Sequence, residues 1–202
     1  MSIWRGKDPL ILASQSRARQ ALLASAGIAF EAMPADIDER EIQRASGLVT
    51  PGAVASLLAG QKALWVSARQ PGRMVVGADQ TLALAQRLFS KPAGRVQAAE
   101  QLRALAGNSH ELHSAVAVAR DGKLVFETAS VARMTMRRLT YADIEAYLDE
   151  AGEAVASSVG AYQLEGLGVH LFERIEGDHF TILGLPLLPL LAFLRGEHLL
   201  AV

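Results

Sequence analysis

The sequence contains no cysteine, and this absence excludes three kinds of site. Without thiols the protein has no disulfide framework, no cysteine nucleophile and no cysteine-ligated zinc. Stability therefore has to come from a packed core, and half of the 202 residues are hydrophobic. This length predicts one domain over residues 1–202, or one domain that a cleft divides into two lobes.

The chain also lacks a basic excess and long apolar runs. It has 20 basic and 21 acidic residues, whereas proteins that bind nucleic acid usually carry net positive charge, so no nucleic-acid partner is expected. The longest apolar run, Ile182–Leu194, contains two prolines and is shorter than the roughly 20 residues that span a membrane. No signal peptide is visible at the start. We therefore expect a soluble, cytoplasmic protein without a membrane partner.

Strand-like and helix-like segments alternate along the chain. The pattern predicts strands over 9–14, 30–35, 74–78, 112–120 and 124–131, with 81–84 as a candidate continuation of the third. It predicts helices over 17–26, 51–69, 97–105, 141–149 and 185–195, and a glycine-rich, partly strand-like segment over 160–176. Asp121 and Gly122 between two alternating runs indicate a hairpin. The fold class predicted is therefore α/β or mixed α+β.

Asp79 is the first candidate for chemistry, because it follows the buried strand predicted over 74–78. Strand ends in α/β proteins open onto the crevice where ligands bind. Lys91 follows shortly afterwards, and a carboxylate with an ammonium at one crevice suits metal-assisted phosphate chemistry. Asp79 would then act as a general base on water or as a metal ligand. The alternative is that Asp79 opens a turn and Lys91 is solvated.

Two further segments carry groups that bind phosphates or metals. Ser14–Arg19 combines hydroxyls and arginines with a helix N-terminus, which together attract anions. Asp38 and Glu39 form a carboxylate pair, and Mg²⁺ is typically held by one or two carboxylates plus substrate phosphates. Helix capping by the serines and a solvated acidic turn are the structural alternatives.

The remaining candidates are a lysine, a glycine-rich turn and the histidines. Lys62 lies inside the predicted helix 51–69, where it either extends to solvent or points into a cleft. Residues 162–168 contain glycines that allow close approach to a flat ligand, and Glu165 could accept hydrogen bonds from a base. The five histidines show no metal-ligand spacing, so we interpret them as structural.

These segments occur in the order found in one known family. They are Leu10–Ser16, Asp36–Glu39, Gln61–Ala63, Val76–Asp79, Ser90–Pro92, Leu105–His110, Gly160–Tyr162, Ile175–Gly177 and Gly184–Leu187. The ordered set covers nearly the whole chain, and the set is specific although no single segment is. It resembles the Maf family of nucleoside triphosphate pyrophosphatases.

The resemblance implies both a reaction and a fold. The reaction is metal-dependent hydrolysis of a nucleoside triphosphate to a monophosphate and pyrophosphate, with Mg²⁺ or Mn²⁺ as the cation. The fold is mixed α/β, with a long curved sheet and a cleft between two lobes, similar to inosine triphosphate pyrophosphatase. Carried over by motif, Asp79 accepts the proton of the attacking water, phosphates are bound by Ser14, Arg19, Lys62 and Lys91, and the metal is held by Glu39 with Asp38. A homodimer is implied by the family alone.

The resemblance also points to residues that select the base. Family members that prefer dTTP and UTP tend to have Arg, Thr and Gln at three positions, where this chain has Ala18, Gln80 and Glu165. Gln80 and Glu165 look like the subgroup that acts on 7-methyl-GTP, whereas Ala18 lacks the aromatic residue often found there. The first motif also departs from the family, because Arg17 replaces its usual proline. A modified purine substrate is favoured, with dTTP or UTP as the alternative.

Two other functions are compatible with the same residues. Asp79-Gln80-Thr81 after a strand is similar to haloacid-dehalogenase-type phosphatases, in which the aspartate is a covalent nucleophile. Those enzymes expect a second aspartate where this chain has Thr81. The other function is a nucleotide-binding regulator of cell division, a role that the family name carries.

Overall fold

The computed structural model describes residues 3–202. Its strands are β1 (Leu10–Leu12), β2 (Phe30–Ala32), β3 (Val75–Leu84), β4 (Arg87–Phe89), β5 (Ser109–Arg120), β6 (Lys123–Met136) and β7 (Phe172–Glu176). Its α-helices are α1 (Arg17–Ser25), α2 (Glu39–Ser46), α3 (Pro51–Ser67), α4 (Arg95–Leu105), α5 (Tyr141–Ala151), α6 (His179–Ile182) and α7 (Leu187–Gly196). Short 3-10 turns cover Gly152–Ala156, Val159–Ala161 and Leu167–Leu171. Within residues 3–202, every helix is too short or too polar to cross a membrane.

All seven strands belong to one mixed sheet. The order is β2-β1-β3-β5-β6-β7, and β4 pairs with the end of β3. Strand β1 pairs with β2 and β3 in parallel, whereas β3, β5, β6 and β7 pair antiparallel. The predicted mixed α/β class is therefore confirmed.

Strand β3 carries Asp79 in its middle. The predicted strand 74–78 and its candidate continuation 81–84 form one uninterrupted strand, because β5 continues to pair with β3 where β1 stops. Strand β1 ends opposite Val76, whereas the register with β5 runs from Val75 through Asp79 to Ala83. Asp79 therefore lies where the parallel part of the sheet ends, beside an unpaired edge of β3.

Helix α3 packs unusually close to the sheet, and small residues allow this. A Cβ atom added at Gly77 would lie 2.1 Å from the Ala59 carbonyl oxygen and 2.6 Å from the Ala63 nitrogen. Alanines line both sides of the contact, as Ala55, Ala59 and Ala63 on the helix and Ala115, Ala117 and Ala119 on β5. Alternate strand residues share a face, so Asp79 points to α3 as Gly77 does.

The other face of the sheet carries two separate hydrophobic clusters. One packs α1 and α7 against β1 and the first half of β3, and contains Leu23, Val76 and Leu190. The other packs α4 and α5 against the second half of β3 and the far end of β6, and contains Leu82 and Leu102. Between them on the same face lie Gln80 and Ser114, which are register partners. Two clusters separated by a polar strip fit the predicted division into two lobes.

Local signals placed most elements correctly and missed three. The hairpin between β5 and β6 is confirmed, with positive φ at both Asp121 and Gly122, as a tight two-residue turn requires. Helix α2 was missed because the acidic segment was interpreted as a loop, yet Asp38 accepts a hydrogen bond from the Glu41 N–H and caps it. Strand β4 and helix α6 were also not predicted. Several boundaries shifted: α4 begins at Arg95, α7 begins at Leu187 after Pro186, β5 begins at Ser109, β6 ends at Met136, and β1 and β2 end earlier than predicted, at Leu12 and Ala32.

Candidate active site

Lys62 joins two carboxylates at the centre of the site. Its Nζ lies 2.6 Å from Asp79 Oδ1 and 2.8 Å from Glu39 Oε1. The side chains of Lys62 and Asp79 are only 11% and 10% exposed, whereas that of Glu39 is 49% exposed. Lys62 therefore points inward from α3 and does not extend to solvent, and it links the predicted base to the predicted metal ligand.

Burial dominates the ionisation of Asp79. It raises the pKa of the Asp79 carboxyl above its usual range, and the positive charges of Lys62 and Arg19 lower it in part. The net direction is upward. A carboxylate with a raised pKa accepts a proton more readily, which suits a general base near neutral pH.

Arg19 is held by the protein on three sides. Its Nε donates to the Gly184 carbonyl at 2.7 Å, and its Nη1 donates to the Ala78 carbonyl at 2.8 Å and to Ser14 Oγ at 3.1 Å. Burial lowers the pKa of Arg19, and the carboxylates of Asp79 and Glu39 oppose that shift. An arginine remains charged in such a site. Within residues 3–202, Nη2 has no partner, so this nitrogen is the part of Arg19 that a ligand could bind.

The serines of the first motif have different roles. Ser16 caps α1, since its Oγ accepts from the Arg19 N–H at 3.4 Å. Ser14 Oγ accepts from the Ser16 N–H and from Arg19 Nη1, which leaves its own proton free to donate. The capping alternative is correct for Ser16, while Ser14 supports Arg19 and retains a donor for an anion.

Five of the ten predicted site residues form no hydrogen bond or ion pair with this cluster: Lys91, Glu165, Ala18, Asp38 and Gln80. Lys91 follows β4 as an exposed side chain, and Glu165 is exposed in the turn before the Leu167–Leu171 segment. Neither forms a hydrogen bond or ion pair with any residue between 3 and 202. Ala18 lies half-buried in the first turn of α1, beside Arg19 in sequence. The hydrogen bonds and ion pairs of the site therefore involve Ser14, Arg19, Glu39, Lys62 and Asp79.

The acidic residues form an incomplete metal site by themselves. No cluster of three or more metal-binding side chains occurs within residues 3–202. Asp38 Oδ1 is engaged at 2.9 Å by the Glu41 N–H, and Glu39 contacts Lys62. Mg²⁺ commonly takes one or two carboxylates and completes its shell with substrate phosphates and water. The half-exposed Glu39, with the second oxygen of Asp38, fits that mode of binding and does not fit a cage made only of protein.

Gln80 is engaged by the protein in a way that the sequence did not predict. Its Nε2 lies 2.9 Å from Ser114 Oγ, 3.1 Å from the Thr181 carbonyl and 3.0 Å from the Ile182 carbonyl. Ser114 and Thr181 were missed as functional candidates. Ser114 is a polar residue at a core-facing position of the alternating run 112–120, and this pattern could have marked it. No sequence pattern marks Thr181.

The structural interpretation of the histidines is confirmed for His110. This residue is buried, and its Nε2 lies 2.7 Å from the Tyr162 hydroxyl. Burial lowers the pKa of His110 to about 4. A neutral, buried imidazole that contacts Tyr162 and Phe172 is part of a hydrophobic cluster and does not act as a proton carrier at neutral pH.

Comparisons with known proteins identify relatives of this chain. The family described as Maf-like protein matches residues 9–197. A nucleoside triphosphate pyrophosphatase from Bradyrhizobium diazoefficiens is 71% identical over the full length of both chains. A 7-methyl-GTP pyrophosphatase from Brucella abortus is 51% identical over 93% of this chain and 96% of that one. A HAM1 protein from Coxiella burnetii overlaps 65% of this chain and 74% of its own, with TM-score 0.43 and 17% identity.

The family model matches nearly the whole chain, and full-length relatives are more than 60% identical to it. Both comparisons point to the same family. The structure joins residues from several of the motifs found in the sequence, Arg19 with Ser14 and with the Ala78 carbonyl, and Lys62 with Asp79. The chain belongs to the Maf-like protein family.

Proposed function

We propose that this nucleoside triphosphate pyrophosphatase of the Maf-like family cleaves a purine-type nucleoside triphosphate between the α- and β-phosphates, with the help of a divalent metal. The observation that carries the proposal is the buried ammonium of Lys62 between Asp79 and Glu39, with Arg19 close by. Attack of water at phosphorus needs a base that accepts a proton and cations that stabilise the developing negative charge, and this cluster contains both.

Each residue of the cluster has a role in that reaction. Asp79 accepts the proton of the attacking water. Lys62, Arg19 Nη2 and the Ser14 hydroxyl bind phosphate oxygens and stabilise the charge that develops on the departing pyrophosphate. Lys91 adds a further cation, and it can do so without breaking an existing contact, because its side chain has no partner within the described residues.

Mg²⁺ or Mn²⁺ is the proposed cofactor. Glu39 and Asp38 would hold it, and substrate phosphates would complete its coordination shell. When bound, the metal would neutralise charge on the phosphates and the leaving group. Each carboxylate has one oxygen engaged, Asp38 Oδ1 by the Glu41 N–H and Glu39 Oε1 by Lys62, so each would offer its second oxygen to the cation.

The base is proposed to be guanine or a methylated guanine. Glu165 is an exposed carboxylate, which can accept from the N1–H and N2–H₂ groups of guanine and favours the positive charge of a methylated base. The Brucella abortus relative is named for 7-methyl-GTP, which supports this choice. Preference for dTTP or UTP is the alternative.

The decisive experiment measures both products directly. Purified protein with Mg²⁺ or Mn²⁺ is incubated with dTTP, UTP, CTP, GTP and 7-methyl-GTP, and monophosphate and pyrophosphate are quantified. We expect pyrophosphate from one or a few of these, and at least a hundredfold loss of turnover in Asp79→Asn with nucleotide binding retained. Release of orthophosphate, or phosphate trapped on Asp79, would indicate a phosphatase. Nucleotide binding without turnover would support a regulator of cell division.

A further inference from the structure

We infer that Ser114 is a positioning residue for selection of the base, and that it acts by fixing the orientation of the Gln80 side chain. This inference rests on the proposed function, because it concerns how the same site discriminates between nucleotides. Gln80 then presents only its carbonyl oxygen to the substrate. No comparison and no sequence motif assigns a role to Ser114.

The contacts of the Gln80 amide determine which way it faces. Its nitrogen carries two hydrogens and lies within 3.1 Å of three oxygens, those of Ser114, Thr181 and Ile182. Main-chain carbonyls only accept hydrogen bonds, so the nitrogen has to face Thr181 and Ile182. The amide oxygen Oε1 therefore faces the opposite way, and no N–H of Gln80 remains for a ligand.

Ser114 is the side chain that completes this clamp. It lies opposite Gln80 on β5, it is fully buried, and its hydroxyl donates to the Thr181 carbonyl at 2.7 Å. The same hydroxyl oxygen accepts from Gln80 Nε2. Thr181 is itself fixed, because its N–H donates to Asp178 Oδ1 at 2.9 Å. A rigid set of acceptors therefore holds the amide nitrogen.

The free amide oxygen lies next to the free nitrogen of Arg19. A Cβ atom added at Gly184 would lie 3.6 Å from Gln80 Oε1 and 3.2 Å from Arg19 Nη2. Neither atom has a hydrogen-bond partner within residues 3–202, and both atoms retain some exposure to solvent. An acceptor and a cationic donor thus border the space beside the α-carbon of Gly184, while the Asp79 side chain leaves β3 on the opposite face, toward α3. A nucleotide whose phosphate contacts Arg19 brings its remaining groups close to Gln80.

A fixed acceptor discriminates between two chemical classes of base. Guanine, uracil and thymine carry a ring N–H on the pairing edge, whereas adenine and cytosine carry a lone pair at the corresponding nitrogen. At that ring nitrogen, a glutamine that is free to rotate could serve both classes by turning its amide, whereas a clamped acceptor pairs only with the N–H of the first class. Loss of the Ser114 hydroxyl should therefore relax discrimination.

The test compares kcat/KM for GTP with kcat/KM for ATP in matched variants. We expect the GTP/ATP ratio to fall about fivefold in Ser114→Ala and in Gln80→Ala, and to fall no further in the double variant, since both act through one contact. Ser114→Thr keeps a hydroxyl and should restore the ratio. Ser67→Ala removes another buried serine hydroxyl, one that accepts from the Gly122 N–H in a different part of the molecule, and should leave the ratio unchanged.

A second measurement does not depend on turnover or on the stability of one variant. The side-chain amide protons of Gln80 should exchange slowly with solvent in the wild-type protein and in Ser114→Thr, and clearly faster in Ser114→Ala, as NMR would report. A ratio that changes in Gln80→Ala and not in Ser114→Ala, with slow exchange in both proteins, would overturn the role of Ser114 while leaving the enzymatic function intact. Absence of pyrophosphate release from every nucleotide would instead overturn the proposed function.

Discussion

Lys62 Nζ lies 2.6 Å from Asp79 Oδ1, and both side chains are almost completely buried between α3 and β3. Breaking a buried ion pair by removing one partner is costly, because the remaining charge is left without compensation. We therefore expect that Lys62 stabilises the charged carboxylate form of Asp79. The pair connects the packing of the fold to the ionisation of the proposed base.

Replacing Lys62 by methionine should move the acid limb of the pH–rate profile upward. Lys62 lowers the pKa of Asp79 against the effect of burial, so its removal raises that pKa further and the base becomes protonated at higher pH. We expect at least a tenfold loss in kcat/KM at neutral pH and partial recovery at alkaline pH. Lys62→Arg, which keeps the charge, is the control. An unchanged acid limb in Lys62→Met would contradict this account of Asp79.

Replacing Gly77 by alanine should destabilise the protein strongly. The added Cβ would overlap the Ala59 carbonyl oxygen, so α3 would have to move away from β3. We expect a loss of about 3 kcal/mol or more in the free energy of unfolding. Gly60 lies on α3 with only an ordinary contact at 3.6 Å from the site of a Cβ, so Gly60→Ala should be neutral or stabilising by about 0.5–1 kcal/mol. Denaturant titrations measure both, and equal stability of the two variants would refute the close packing of α3.

His110 should make stability depend on pH in the acid range. Its pKa is about 4 in the folded protein and about 6.5 as a free side chain, so the unfolded chain binds the proton more readily. The contribution of neutral His110 to the free energy of unfolding is fully present above pH 6.5. It is lost as the pH falls towards 4, by up to roughly 3 kcal/mol. His110→Gln should remove this part of the slope, whereas the exposed His170→Gln should keep it. The free energy of unfolding measured from pH 7 to pH 4 decides between these outcomes.

Replacing Glu165 by glutamine should shift preference away from guanine-type bases. The carboxylate accepts two hydrogen bonds and favours a positively charged base, whereas a carboxamide offers a single acceptor without charge. We expect kcat/KM for 7-methyl-GTP to fall about tenfold relative to UTP. Glu173→Gln, which changes an exposed glutamate on β7, is the control. If discrimination is unchanged in Glu165→Gln, this residue has no part in reading the base.

The sequence predicted the class of fold because its signals are local. Period-two alternation and Asp121-Gly122 identified the β5–β6 hairpin, and helical spacing identified α3 and α5. The sequence was less informative where an element depended on a partner strand. The segments 74–78 and 81–84 form one strand through Asp79 because β5 pairs along it, and no local pattern reports that pairing.

The residue types of the site were also available from the sequence, whereas their connections were not. Asp79, Lys62 and Arg19 were candidates because carboxylates, ammonium and guanidinium groups suit phosphate chemistry. That Lys62 meets Asp79 depends on Gly77, which lets α3 approach the sheet closely. That Gln80 faces the site only through its oxygen depends on Ser114 and Thr181, residues that lie far from it in the chain. Chemistry follows from side-chain identity, but distance and orientation follow from long-range packing, and only the tertiary structure decides those.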